Sequence, residues 1–168
     1  MNIDIAPATD KDSGILANIL TEATKYKVEH GDYTWGNDPY TVDEVKHYMK
    51  NGNVFIVILD NEPVGSFSLQ WEDRRIWGEQ PSNAAYLHQL AIKSSLHGRG
   101  LGEQIIKRAE EESLKNEKKI FRLDCEENNL GLCKYYEKQG FKKVGSKKVT
   151  SEIGTYKAAL YEKLLVVE

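Results

Sequence analysis

Apolar and polar positions recur along the chain with two periods, and the changes between them mark the elements. "IDIAPATDKD" reads as a short strand ended by Pro7, and behind it Ile15, Leu16, Ile19 and Leu20 fall at helical spacing after a cap at Asp10 or Asp12. An aromatic loop, "HGDYTWGNDPY", follows. "TVDE" is a capping box in which Thr41 bonds a backbone N–H and Glu44 reaches back, so a second helix starts there. "NVFIVILDNEPVGSFSLQW" is two β-rich runs joined by the turn residues Asp60, Asn61 and Pro63, an antiparallel hairpin. After a polar loop, "AAYLHQLAI" is another strand. The pattern then changes. "GLGEQIIKRAEEESLKNE" carries Leu101, Ile105, Ile106 and Ala109 on one helical face, "KKIFRLDC" is a strand, and "NNLGLCKYYEKQ" is a helix stopped at Gly140. "FKKVG" and "TYKAALYEKLL" are closing strands.

No repeat, low-complexity tract or Pro/Ser linker interrupts this order, and 168 residues match the usual size of one domain, so residues 1–168 are expected to form a single one. With 40% hydrophobic and 29% charged residues the composition is that of a globular chain. There is no apolar run of membrane-spanning length and no basic-then-apolar signal at the "MNIDIAPATD" start, which points to a cytoplasmic protein with no membrane partner. Cys125 and Cys133 are too few for a disulfide framework, and no Cys/His cluster has zinc-site spacing, so no metal is expected. A net charge of −3 argues against a nucleic-acid partner, which calls for a basic excess.

The stretch that asks for a function is "LHGRGLGEQII", where Gly98, Gly100 and Gly102 stand at alternate positions directly before a helix. Glycines there lose conformational entropy and pack no side chain, whereas a helix N-terminus offers unpaired N–H groups and about half a positive charge. Removing side chains lets an anion reach that backbone, and a phosphate or diphosphate is the natural guest. A Walker loop requires Gly-Lys-Ser/Thr, yet Glu103 and Gln104 follow Gly102. The dinucleotide fingerprint requires GxGxxG after a first strand, and here the spacing is GxGxG after an antiparallel hairpin.

"LAIKSSLHGRGLG", then a helix, a strand and "NNLGLCKYYEKQGF", resembles the GNAT superfamily of acyl-CoA-dependent N-acyltransferases. That family has a Gln/Arg-x-x-Gly-x-Gly/Ala diphosphate loop, matched here by His97, Gly98, Arg99, Gly100, Leu101 and Gly102. A later Tyr-x-x-x-Gly-Phe is matched by Tyr136, Gly140 and Phe141. His97 stands where Gln or Arg is usual, at a position the family uses largely through its backbone N–H. The resemblance implies an α/β (α+β) fold with a mixed central sheet of about seven strands, flanked by helices and splayed at the acetyl-CoA site.

It also implies acetyl-CoA as cosubstrate, and transfer of its acetyl group to a primary amine of a small molecule or peptide by direct attack. The amine must lose a proton to a base or a water-linked carboxylate, because an ordinary Lys-type amine titrates near 10.4. The oxyanion needs a backbone N–H, which the family draws from the strand His88–Ile92, here Leu90, and Leu90 and Ile92 would pair with the pantetheine arm. The thiolate needs an acid, the role the resemblance gives to Tyr136.

Each residue also has a plainer reading. Asn129 either caps its helix or touches the cofactor, and His88 either fills the core or serves as base or substrate contact. Arg99 either adds charge at the phosphates or is solvated. Asp124 orients a backbone group, pairs with Arg122 or meets substrate. Glu72, Asp73 and Glu79, with Glu29, His30 and Asp32, are solvated or line an acceptor cleft that Tyr33, Trp35 and Tyr40 help to build. A homodimer is common in the family, although no feature of this sequence specifies one. The alternative from another class is an acyl-CoA-binding sensor or interaction module without catalysis.

Overall fold

The computed structural model describes residues 2–152 and 154–166. In chain order it has β1 (Ile3–Pro7), α1 (Ser13–Glu29), α2 (Val42–Asn51), β2 (Asn53–Leu59), β3 (Glu62–Gln70) and α3 (Arg74–Trp77). There follow β4 (Ala84–Ile92), α4 (Leu101–Lys115), β5 (Ile120–Glu126), α5 (Leu130–Lys138), β6 (Lys142–Ser151) and β7 (Gly154–Leu164). The strands form one seven-stranded sheet in the order β1-β2-β3-β4-β5-β7-β6, mixed because β4 and β5 run parallel while β1/β2, β2/β3, β5/β7 and β6/β7 pair antiparallel. No helix among the described residues is long and apolar enough to cross a membrane.

The chain divides into two compact units. One holds the residues up to Gln70 with Leu87–Ala109, and the other holds Trp71–Tyr86 with the residues from Glu110 on. In the first unit α1 buries Leu16, Ala17, Ile19 and Leu20 against Val45, Ile56 and Ala91, and Trp35 and Tyr40 pack on the same cluster. Ile15 lies off that face and stays 43% exposed, so the buried stripe starts one residue later than the sequence pattern places it. Neither Asp10 nor Asp12 caps α1 through its side chain. A 3₁₀ turn over Asp10–Asp12 comes first, and the Asp12 carboxylate accepts the N–H and hydroxyl of Thr9 in a capping box of its own. The box at the start of α2 forms as its sequence requires, with Glu44 N–H donating to Thr41 Oγ1 and Thr41 N–H donating to Glu44 Oε2.

The β2–β3 hairpin turns on Asp60 and Asn61, both left-handed at φ 51° and 67°. This is the conformation that matches strand twist in a two-residue turn. Pro63 is not part of the turn; it lies in β3 opposite Ile58, where the register shifts. Gly65, in the same strand, is required by close approach: a Cβ there would stand 2.6 Å from the Ala91 carbonyl oxygen.

In the second unit the β4/β5 ladder comprises three pairs, Ala84–Ile120, Ala85–Phe121 and Tyr86–Arg122. Arg122 is buried, and three neighbouring side chains meet its charge. Nε donates to Glu162 Oε2 at 2.9 Å, Nη1 donates to Tyr86 Oη at 2.8 Å, and the guanidinium lies 4.9 Å from the centre of the Trp77 ring. Ile76, Val149 and Ala158 form a small core beside it.

Gly65→Ala is expected to destabilise the protein by about 1–3 kcal/mol, the usual penalty for forcing atoms into a packed site. A urea melt should show a lower midpoint at unchanged slope; an unchanged midpoint would mean that β3 and β4 can separate without loss.

Candidate functional site

Strand β4 is regular as far as His88 and then departs from the sheet geometry. Gln89 has φ 52°, a left-handed conformation that costs an L-residue about 1–2 kcal/mol. A residue of this kind within a strand re-aims the positions beyond it, here Leu90, Ala91 and Ile92. His88, Leu90 and Ile92 are half-buried, whereas Ala91 faces the core cluster. Gln89 was not legible from sequence, because Gln carries no left-handed preference and "LHQLAI" reads as an unbroken strand.

Lys93 N–H bonds the Val64 carbonyl at 2.9 Å, and a 3₁₀ turn over Ser94–Leu96 follows. His97 closes the turn, its N–H donating to Ser94 O at 3.2 Å, so the donor that the family resemblance offers to a ligand here is already used. The imidazole Nε2–H donates to Ile92 O at 3.2 Å. Gly98 and Gly100 are left-handed at φ 77° and 76°, the reason for glycine at both. No heavy atom lies within 4 Å of a Cβ built on Gly98, and only Glu103 Oε2, at 4.0 Å, approaches one built on Gly100. Gly102 differs from them, being a buried residue of the first turn of α4 without a positive φ. The N–H groups of that turn, from Leu101 on, have no intrahelical acceptor. Arg99 is exposed. The result is an open glycine turn at the positive end of a 15-residue helix, an arrangement that leaves backbone donors accessible to an anion.

Tyr40 belongs to the same unit. Its backbone N–H donates to Thr21 Oγ1 at 2.9 Å, and its ring lies 6.1 Å from that of Tyr48. Burial, reinforced by Tyr48, pushes its phenol up from 10.0 to about 12, while a hydrogen bond from the Gln89 side chain pulls the other way. Asp32 is not solvated. It is buried, bonds Lys27 Nζ at 2.8 Å, and accepts from the N–H and hydroxyl of Thr34, bracing the aromatic loop. Glu29 is exposed, His30 stacks on Tyr26 at 4.0 Å, and Tyr33 is 58% exposed.

Asn129 and Tyr136 lie in the other unit, on α5. Asn129 takes the capping role, its Oδ1 accepting from Leu132 N–H at 3.2 Å. Tyr136 is the buried member of the tyrosine pair and Tyr135 the half-buried one. The Tyr136 ring sits 5.8 Å from Phe141 and 6.4 Å from Tyr161, whose hydroxyl donates to Glu137 at 3.1 Å. Asp124 is half-buried on β5, and Arg122 is paired with Glu162. Cys125 and Cys133 are buried thiols with sulfurs 3.7 Å apart. Asp73 caps α3 through Ile76 N–H, and Arg74 pairs with Glu72 at 3.3 Å and with Glu79 at 3.9 Å. These residues, with Trp71, Gly78, Gln80 and Tyr86, enclose a cavity of about 160 Å³, large enough for a small polar group.

The family model described as the Acetyltransferase (GNAT) family matches residues 19–141. No curated protein matches the chain in sequence. An N-acetyltransferase from Staphylococcus aureus Mu50 is similar in structure at 16% identity and TM-score 0.74, covering 99% of this chain and 100% of its own. A ribosomal-protein-alanine N-acetyltransferase from Brucella melitensis gives 17% identity and TM-score 0.76, over 96% of this chain and 99% of its own. The aminoglycoside acetyltransferase AAC(6')-Ib, solved in complex with coenzyme A, gives 21% and 0.76, over 97% and 95%. At these identities the likeness is one of fold.

The raised pKa of Tyr40 has a pH consequence. Its folded value lies above the unfolded one, so its contribution to stability is complete below pH 10.0 and is lost as pH rises to about 12. Urea midpoints measured below and within that window should fall less steeply for Tyr40→Phe than for the unaltered protein; equal slopes would show that this phenol is solvated.

Proposed function

Because the chain belongs to the GNAT acetyltransferase family, we propose that it transfers the acetyl group of acetyl-CoA to a primary amine of a small molecule or peptide by direct attack. The observation that carries this reading is the open, left-handed glycine turn between the strand that holds left-handed Gln89 and the N-terminus of α4. In this assignment the backbone of Gly98, Arg99 and Gly100 and the first turn of α4, Leu101 and Gly102, hold the diphosphate, with Arg99 adding charge. Leu90 and Ile92 pair with the pantetheine arm as an added strand.

The amine nitrogen, once neutral, forms a bond to the thioester carbon, and the carbonyl π pair moves onto oxygen. Leu90 N–H donates to that oxyanion, re-aimed by the left-handed Gln89 beside it. His88 takes the proton from the amine, directly or through water. Collapse of the tetrahedral adduct breaks the C–S bond, and the electron pair leaves on sulfur, to which the Tyr136 hydroxyl gives its proton. Asn129 holds the start of α5, the helix that carries Tyr136. AAC(6')-Ib, whose fold this chain shares, has been solved with paromomycin and acetyl-CoA, and a polyamine-like acceptor suits the acidic loop residues Glu72 and Glu79 here.

Two substitutions and one assay test the reading. Gly100→Val places a branched side chain at φ 76° on the diphosphate path and should raise the acetyl-CoA dissociation constant roughly tenfold or more. Unaltered affinity in the folded variant would refute the cofactor assignment. Tyr136→Phe keeps the ring and should lower kcat and kcat/KM together by roughly ten- to a hundredfold, with affinity unchanged and Tyr135→Phe silent. Full kcat in Tyr136→Phe would leave its hydroxyl without a part in thiolate protonation. Binding of acetyl-CoA with no thiol released for any amine in a broad panel would favour a sensor over an enzyme.

A further inference from the structure

The short turn that delivers the glycines is gripped from outside at both ends. Helix α1 carries Glu22 and Tyr26 four residues apart, a spacing that puts both on one face. The Glu22 carboxylate accepts from Ser94 N–H at 3.3 Å through Oε2 and from the Ser94 hydroxyl at 3.1 Å through Oε1. Ser94 is the first residue of the 3₁₀ turn, and Lys93, in the N-cap position before it, supplies no side-chain cap. The cap that the local sequence lacks is therefore provided by a carboxylate 72 residues away. At the other end of the turn, the His97 and Tyr26 rings meet in a T-shaped pair, centroids 4.6 Å apart and planes at 87°. Tyr26 is backed by His30, stacked on it at 4.0 Å, and His30 Nδ1–H donates to Tyr26 O at 2.7 Å. Gly98, the first left-handed glycine, comes directly after this second grip.

We propose that Glu22 and Tyr26 are positioning residues for the diphosphate of the acyl donor, fixing the glycine turn before the ligand arrives. The proposal rests on the acetyl-CoA reading above. A carboxylate has the wrong sign to touch a diphosphate, so Glu22 acts only through Ser94. Glycines are the residues with the most conformational freedom to lose, and a turn already fixed at Ser94 and His97 has less left to lose when an anion binds. Affinity gained this way is preorganisation, with no added contact to ligand.

Calorimetric titration with two donors separates positioning from general structural support. Acetyl-CoA carries the diphosphate; S-acetylpantetheine carries the same thioester arm without it. Glu22→Ala should weaken acetyl-CoA binding roughly tenfold, a part of the worth of the two charge-assisted hydrogen bonds it removes, and leave S-acetylpantetheine binding unchanged. Tyr26→Ala should act in the same direction. Glu22→Gln keeps an oxygen acceptor for Ser94 and should restore most of the affinity, and Ser94→Ala added to Glu22→Ala should cost little more. Wild-type affinity for acetyl-CoA in Glu22→Ala overturns the proposal, as does an equal loss for both donors. If the unaltered protein binds S-acetylpantetheine but gains nothing from the diphosphate, the assignment of the glycine turn itself falls, and a Gly100→Val variant with unchanged acetyl-CoA affinity identifies that outcome.

Discussion

Backbone N–H groups at the start of α4 that have no intrahelical acceptor are the feature around which the first unit is arranged. A helix cannot satisfy its own first donors, and a loop that covers them with side chains would remove the attraction for an anion. Here Gly98 and Gly100 keep the approach open. The surrounding contacts then hold in place a segment that glycine alone leaves loose: Lys93 N–H on Val64 O, Ser94 on Glu22, and His97 on Tyr26 and Ile92. The close passage of β3 over β4 at Gly65 belongs to the same arrangement, since Ala91 lies one residue before Ile92, whose carbonyl accepts from His97.

The second unit is organised around a buried charge. Arg122 has lost most of its water, and an unpaired guanidinium in that position would be strongly destabilising. Glu162, Tyr86 and Trp77 together replace the lost solvation and join β5 to β7, β4 and α3. On the other side of β7, burial together with the Cys133 thiol and the Glu137 carboxylate pushes the Tyr161 phenol up, so it stays a neutral donor to Glu137 next to the Tyr136 ring.

Carboxylates illustrate how a charge is assigned to structure or to solvent. Asp12, Asp32, Glu44 and Asp73 all stand near loops that sequence alone marks as candidate cleft walls or helix starts, and each has a local N–H or hydroxyl to accept from. Glu72 and Glu79 share Arg74 at the surface, where an ion pair contributes little and the charges remain available to a cation.

Periodicity and turn chemistry in the sequence were sufficient for the order of the strands and the longer helices, the Thr41 box, the Asp60–Asn61 turn, the buried face of α4 at Leu101, Ile105, Ile106 and Ala109, and the glycine turn before it, but not for the short α3, which the sequence reads as a polar loop. These are local properties, set within about one helical turn of chain. Tertiary structure alone decided that Ile15 would be exposed, that Gln89 would be left-handed, and that Arg122 would pair with Glu162. It also brought Glu22 of α1 to Ser94, 72 residues further on, and Tyr26 to His97 at the other end of the same turn. Strain at a glutamine, the partner of a buried charge and a cap supplied by a distant helix all depend on which segments pack together, and residues so far apart carry no periodic signal of that.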